Sequence, residues 1–202
     1  MNILIIGAHP DDYELGMAGT IKNHSDNGNE VYAIIMSNGE KIGDPNKRKD
    51  EARKSAKILG IRELFFFGLE DTNIQCNPDV IEKIERIIIS KKISRIYTHS
   101  NKDTHQDHFN TSRISLVAGR NVPQILFYES PSSDLDFRPT FFTDIEETLD
   151  KKLSSLKVYK SLSKLKKRYL EINAIINSAS FRGYQSKTKF AESFEVYRFL
   201  EK

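Results

Sequence analysis

Two short polar clusters concentrate the chemistry of this 202-residue chain: His9-Pro10-Asp11-Asp12 and Asp103-Thr104-His105-Gln106-Asp107-His108. Two imidazoles and a carboxylate drawn from them form a mixed nitrogen and oxygen donor set suited to zinc. Three protein ligands leave a fourth position for water, which is the catalytic arrangement. Adjacent Asp11 and Asp12 cannot easily bind one ion in the same way, so one is expected to ligate and the other to move protons. A zinc ion lowers the pKa of its water toward roughly 7, and a nearby carboxylate can take the proton as that water attacks a carbonyl. His105 and His108 are three residues apart and point to one side of a helical turn. Both binding zinc would close the site, so His105 is expected as an imidazolium facing a developing oxyanion, with Asp103 or Asp107 holding its ring.

These clusters must be brought together by the fold, and the pattern says how. Strands are expected at 2–8, Glu30–Ser37, Leu64–Phe67, Arg95–Ser100 and Gln124–Tyr128. Between them come helices over Glu14–Asn27, Lys47–Leu59, Asn77 to about Lys91, and Asp107–Ala118. Strict β-α alternation implies an α/β, Rossmann-like three-layer sandwich with a mostly parallel sheet of order 3-2-1-4-5. Ligands then bind beyond the carboxyl ends of the strands where the order reverses, between the first and fourth strands. Both clusters follow those two strands and face one crevice. After Ser130 the pattern is less regular: helices near Glu146–Tyr159 and Lys164–Asn177 and a strand at Phe194–Phe199 read as a C-terminal elaboration of one domain.

Other candidates carry two readings each. His99 is a group behind the ligands or a packed strand-end histidine, and Tyr128 and Glu129 line the crevice or pack. Arg182 contacts substrate or holds Glu192 or another carboxylate, and His24 is solvated. A dinucleotide site is rejected because the Gly-x-Gly-x-x-Gly turn is missing, and no Gly-x-Ser-x-Gly or Walker loop appears.

Composition narrows the class. With 38% hydrophobic and 29% charged residues the chain reads as a soluble globular protein, and its net charge of +3 is too small to argue for nucleic acid. The one basic cluster, Lys164, Lys166, Lys167 and Arg168, is expected to be a solvated helix face. A single cysteine fits a reducing compartment, and no stretch approaches a membrane span, so the cytoplasm is the expected location.

Gly7-Ala8-His9-Pro10-Asp11-Asp12-Tyr13-Glu14-Leu15-Gly16, followed by Gly19-Thr20-Ile21, resembles the signature of the LmbE/PIG-L family of zinc N-acetylglucosaminyl deacetylases. Within it the chain most resembles the branch typified by the bacillithiol-pathway deacetylase. The cluster ending in His108 resembles the family's second metal motif, with Gln106 in place of the usual proline, a change expected to alter a turn rather than the chemistry. Further matches include Asn38-Gly39-Glu40, Arg48, Glu51-Ala52, Lys152, Arg182-Gly183 and Ala191-Glu192-Ser193-Phe194, so the resemblance spans nearly the whole chain. It implies His9, Asp12 and His108 as zinc ligands, with Fe2+ or another divalent ion as a substitute, Asp11 as the base and His105 as the electrophilic partner. Asp103 and Asp107 stand behind them, and Arg48 contacts the substrate. It further implies release of acetate from an N-acetylglucosamine-type sugar on a variable aglycone, and assembly as a homo-oligomer. Two alternatives remain open: hydrolysis of another amide-linked sugar conjugate, and non-catalytic sugar binding.

Overall fold

The computed structural model describes residues 1–162 and 168–201. The expected alternation is present as β1 (Asn2–Gly7), α1 (Asp12–Asp26), β2 (Glu30–Ser37), α2 (Pro45–Leu59), β3 (Glu63–Leu69), α3 (Pro78–Ser90), β4 (Arg95–His99), α4 (Gln106–Ala118) and β5 (Gln124–Tyr128). These five strands run parallel in the order 3-2-1-4-5. The sheet continues beyond β5 into the C-terminal third. There β7 (Ala191–Phe199) pairs antiparallel with β5, and β6 (Phe141–Asp144) pairs antiparallel with β7.

β1 shows why the sheet is central. Ile3 and Ile5 face the side covered by α1 and α2, Leu4 and Ile6 face the side covered by α3 and α4, and all four are fully buried. Such a run has no polar face, as a strand covered on both sides requires. Each of these side chains stabilises the fold by about 1.5–3 kcal/mol.

The C-terminal third departs most from expectation. β6 carries no pattern that separates it from loop, α5 is confined to Leu149–Lys157, and the helix expected over Lys164–Asn177 is instead α6 over Ile172–Ser186, preceded by a single 3-10 turn at Arg168–Leu170. Lys164, Lys166 and Lys167 lie outside the described residues. Among the described residues no helix is long and apolar enough to cross a membrane.

α1 is the element most shaped by its contacts. Met17 leaves helical geometry (φ −151°, ψ 23°), which frees amides midway along the helix. The amides of Gly19 and Thr20 donate to the buried carboxylate of Glu192 at 3.0 and 2.7 Å, and the Thr20 hydroxyl adds a third bond at 2.7 Å. The carboxylate thus caps a second helix start inside α1. Gly16 has no room for a side chain, because a Cβ there would lie 2.5 Å from Tyr128 Cδ2 and 2.8 Å from the Glu129 carbonyl. This close approach sets the amino end of α1 against the carboxyl end of β5.

Candidate metal centre

The chain leaves β1 at Gly7 and turns sharply. Asp11 adopts φ 97°, the left-handed region, at a cost of about 1–3 kcal/mol for a residue with a side chain. Arg48 on α2 holds this conformation, its Nη2 donating to the Pro10 carbonyl at 2.7 Å and to Asp11 Oδ1 at 3.0 Å. The His9 amide donates to Asp12 Oδ2 at 2.7 Å, and the Leu15 amide to the Asp11 carbonyl at 3.0 Å. The strained turn separates two neighbouring carboxylates, so that Asp12 meets the imidazoles while Asp11 meets a guanidinium. Arg48 itself is fully buried, with Gly39 (φ 68°) pressed against its Nε. Arg48 nonetheless lines the cleft, and within the protein the carboxylate it holds is Asp11.

Asp12 sits between two rings. Its Oδ2 lies 3.6 Å from His9 Nδ1 and its Oδ1 3.4 Å from His108 Nε2. Two bonds of about 2.0–2.2 Å meeting at a tetrahedral ion separate their donors by roughly this much, so each imidazole stands from the Asp12 carboxylate at a spacing that suits a shared metal, through a different oxygen for each ring. Each ring also presents its other nitrogen to carboxylates: His9 Nε2 is 3.1 Å from both Asp107 Oδ2 and Asp71 Oδ1, and His108 Nδ1 is 3.1 Å from Asp103 Oδ2. Such partners fix the tautomer and orientation of a ligating imidazole. Three groupings of donors close enough for one ion draw on these residues: His9, His105 and His108; Asp12, His99 and His108; and His9, Asp71 and Asp107.

The carboxylates are themselves anchored. Asp107 accepts from the amides of Thr72 at 2.7 Å and Ile74 at 3.2 Å, and Asp71 from the Lys41 amide at 3.0 Å. Asp103 accepts from the His105 amide at 2.9 Å and from the Ser130 hydroxyl. Gln106 occupies the first turn of α4, where the missing amide of a proline would cost nothing, and its side chain donates to the Thr72 carbonyl. The departure from proline therefore ties the helix start to the loop that carries Asp71.

The charges follow from these contacts. Burial alone would lower the pKa of His9 and His108, but the carboxylates around them overcome it, raising His108 to about 9 and His9 well above its ordinary value. Asp12 is held well below the usual carboxylate range against its burial, chiefly by His108 and His99. Asp103, Asp71 and Asp107 are lowered too, their burial outweighed by the histidines and amides they bind. Replacing two imidazolium protons with one divalent cation leaves the net charge of the cluster unchanged, so the same array of acids suits either state. Asp11 goes the other way, pushed up to about 7 by burial and by Asp12 despite Arg48.

His105 differs from its expected state. Its Nδ1 accepts from the Asp107 amide at 3.2 Å, capping α4, and burial together with His108 and His9 lowers its pKa. The ring is therefore neutral with its proton on Nε2. Asp103 and Asp107 turn to His108 and His9 instead of to this ring.

A cleft of about 400 Å3 opens above these groups, bordered by Asp11, Asp12, His105, Ile42, Pro131 and Tyr169. His99 is buried behind it, stacked on His108 with centroids 3.9 Å apart and its Nε2 3.0 Å from Asp12 Oδ2. Burial beside His108 lowers its pKa to about 4, which leaves the ring neutral. His24 is half-buried rather than freely solvated, its Nε2 3.0 Å from the Tyr97 hydroxyl. Arg182 pairs with Glu129 rather than Glu192. Sequence reasoning missed Asp71, although it lies two residues beyond the carboxyl end of β3, at the sheet edge where the crevice rule directs attention.

Residues 4–118 match the family described as GlcNAc-PI de-N-acetylase, PIG-L. The chain is 39% identical over 168 residues to YaiS of Escherichia coli (strain K12), named an uncharacterized deacetylase, covering 79% of this chain and 90% of that protein. It is 27% identical over 185 residues to a probable N-acetyl-alpha-D-glucosaminyl L-malate deacetylase 2 of Bacillus cereus (strain ATCC 14579), covering 79% and 83%. The chain belongs to the PIG-L family. Its fold is also similar, with a TM-score of 0.85 and 20% identity, to 4-carboxy-2-hydroxymuconate hydratase from Pseudomonas putida KT2440, covering all of this chain and 98% of that one. One fold therefore carries more than one chemistry, and the side chains of the site must decide between them.

Proposed function

We propose that this protein is a zinc-dependent N-deacetylase that releases acetate from an N-acetylglucosamine-type amino sugar or its conjugate. The observation that carries the reading is Asp11: a carboxylate held apart from the imidazoles by a strained backbone and bordering the cleft beside the candidate ligands. A protein that only bound sugar would have no need of an unligated carboxylate there. The deacetylase names of its relatives support the same chemistry.

His9, Asp12 and His108 would hold the zinc, which when bound supplies Lewis acidity toward an acyl oxygen and lowers the pKa of water. Asp11 takes a proton from the attacking water and delivers it to the departing nitrogen as the C–N bond breaks, giving acetate and a free amine. Arg48 fixes Asp11 in the conformation that allows both transfers. His105 donates its Nε2 proton as a hydrogen bond to the acyl oxygen while negative charge builds there, a role open to a neutral ring. Asp71 and Asp107 orient His9, and Asp103 orients His108.

The test is acetate release from a panel of N-acetylglucosamine conjugates by metal-analysed protein, beside a chelated sample and a zinc-restored one. Release that is lost on chelation and regained with zinc is expected. Fully metallated protein that releases acetate from none of them would overturn the reading.

A further inference from the structure

Beside the metal cleft lies a second cavity of about 410 Å3, enclosed by the loop after β5, by α6 and by the start of β7. Leu15, Pro131 and Tyr169 border both cavities, so a molecule held at the metal centre reaches the second one across these three residues. Each volume is in the range of small-molecule sites, about 300–1,000 Å3.

The cations of this cavity are already matched. Arg182 Nε donates to Glu129 Oε2 at 2.8 Å, its Nη2 to Glu129 Oε1, and its Nη1 to Gln185 at 2.7 Å. Lys152 Nζ donates to Glu192 Oε1 and to the Leu15 carbonyl, both at 2.6 Å, and Lys152 and Glu192 are buried. Asp134 adds a carboxylate with no cationic partner among the described residues. An entering anion would lose water, meet carboxylates and find each cation engaged, so it is disfavoured. What the cavity offers instead is the hydroxyls of Ser133 and Ser178, opposite an apolar wall of Leu135, Phe137 and Ile175, while the Ser193 hydroxyl already donates to Glu129. A sugar ring, with a hydroxyl rim and an apolar C–H face, matches both sides.

We infer that this cavity receives a second, neutral sugar ring linked to the one being deacetylated, and that it selects against a carboxylate-bearing aglycone. The inference rests on the deacetylase reading for what occupies the first cleft, while the cavity's own chemistry stands apart from catalysis. Ser178 is exposed on α6 and borders the cavity, so a bulky residue there fills the space without disturbing the core.

Zinc-loaded protein is assayed for acetate release with N-acetylglucosamine, its β-1,4-linked disaccharide and N-acetylglucosaminyl malate. The expected order of kcat/KM places the disaccharide above each of the others by about tenfold, equivalent to ~1.4 kcal/mol. Ser178→Trp is expected to lower the disaccharide value by about tenfold more than the monosaccharide value. Calorimetric binding of the same three compounds to zinc-loaded Asp11→Asn protein, with and without Ser178→Trp, reads the cavity without turnover. A disaccharide that binds and reacts no better than the monosaccharide, or a malate conjugate that equals it, overturns the inference. Acetate release from none of the three, with the binding contrast intact, sinks the deacetylase reading and leaves the second site standing.

Discussion

In the metal cleft, Asp11 is held at φ 97°, its pKa is raised to about 7, and His9 and His108 are charged by the acids around them. Across Leu15 and Pro131, Arg182 with Glu129 and Lys152 with Glu192 form closed pairs. The two cavities are nearly equal in volume and share a wall. Their difference lies in whether charge is left open. Proton transfer requires a group whose affinity for the proton can tip near neutral pH, and this requires strain and burial. Rejection of an anionic ligand requires the reverse of the cations, because an unmatched cation would draw anions in.

The sharpest way to break this contrast is Asp11→Asn. The amide keeps the shape of the side chain but cannot carry the proton, and the ligand set of His9, Asp12 and His108 stays intact. Metal content should be unchanged while kcat falls by about 10²–10⁴ on every acylated sugar. Substantial turnover in the metal-loaded variant would remove Asp11 from its role as base.

The next effect is one of stability in metal-free protein. Asp11 is raised to about 7 and His108 to about 9, and His9 is raised as well. For each, the folded pKa lies above the unfolded one, so the stability it contributes is complete below the unfolded value and is lost as pH rises through the folded value. Asp11 is half ionised near pH 7 and nearly fully ionised a unit higher, and the decline above that belongs to the two histidines. Between about pH 6.5 and 9 the His108 contribution is at most roughly 3 kcal/mol. Thermal unfolding with chelator should show Tm falling across that window, whereas metal-saturated protein, with no imidazole proton to lose, should be flatter. Parallel curves for the two forms would mean that the histidines are not charged in the metal-free state.

The contrast also separates what could be read from the sequence and what could not. The metal cleft comes from two contiguous clusters, each after a strand with an unmistakable apolar run, and the 3-2-1-4-5 order brings them together. Local patterning reports such runs because burial on both faces leaves no polar alternation. Asp71 was invisible because it belongs to no motif, and its contact with His9 is made by a loop through space. The reach of Arg48 to Asp11 is a contact of the same kind, and its burial could not be foreseen from its place on α2. The charge of His105 depended on which ring nitrogen capped α4, which spacing alone does not specify. The second cavity was the least legible, since it is walled by β7, α6 and an irregular loop whose pairings join residues 40 to 64 positions apart.

A last comparison sets the carboxylate behind a proposed ligand against the carboxylate behind a proposed sugar contact. Asp103 Oδ2 is bound by His108 Nδ1 at 3.1 Å and by the Ser130 hydroxyl, and its Oδ1 by the His105 amide at 2.9 Å. Asp103→Asn retains the shape but removes the charge that draws the His108 proton to Nδ1 and leaves Nε2 free to ligate. Metal affinity should weaken by about 10–100-fold, measured by competition with a chelator indicator. Glu129→Gln removes a similar charge from the Arg182 pair, on the far side of the shared wall, and should leave metal affinity where it was. If Glu129→Gln weakened the metal as much as Asp103→Asn, the two cavities would be one electrostatic unit. The separation between open charge for catalysis and matched charge for recognition would then have to be abandoned.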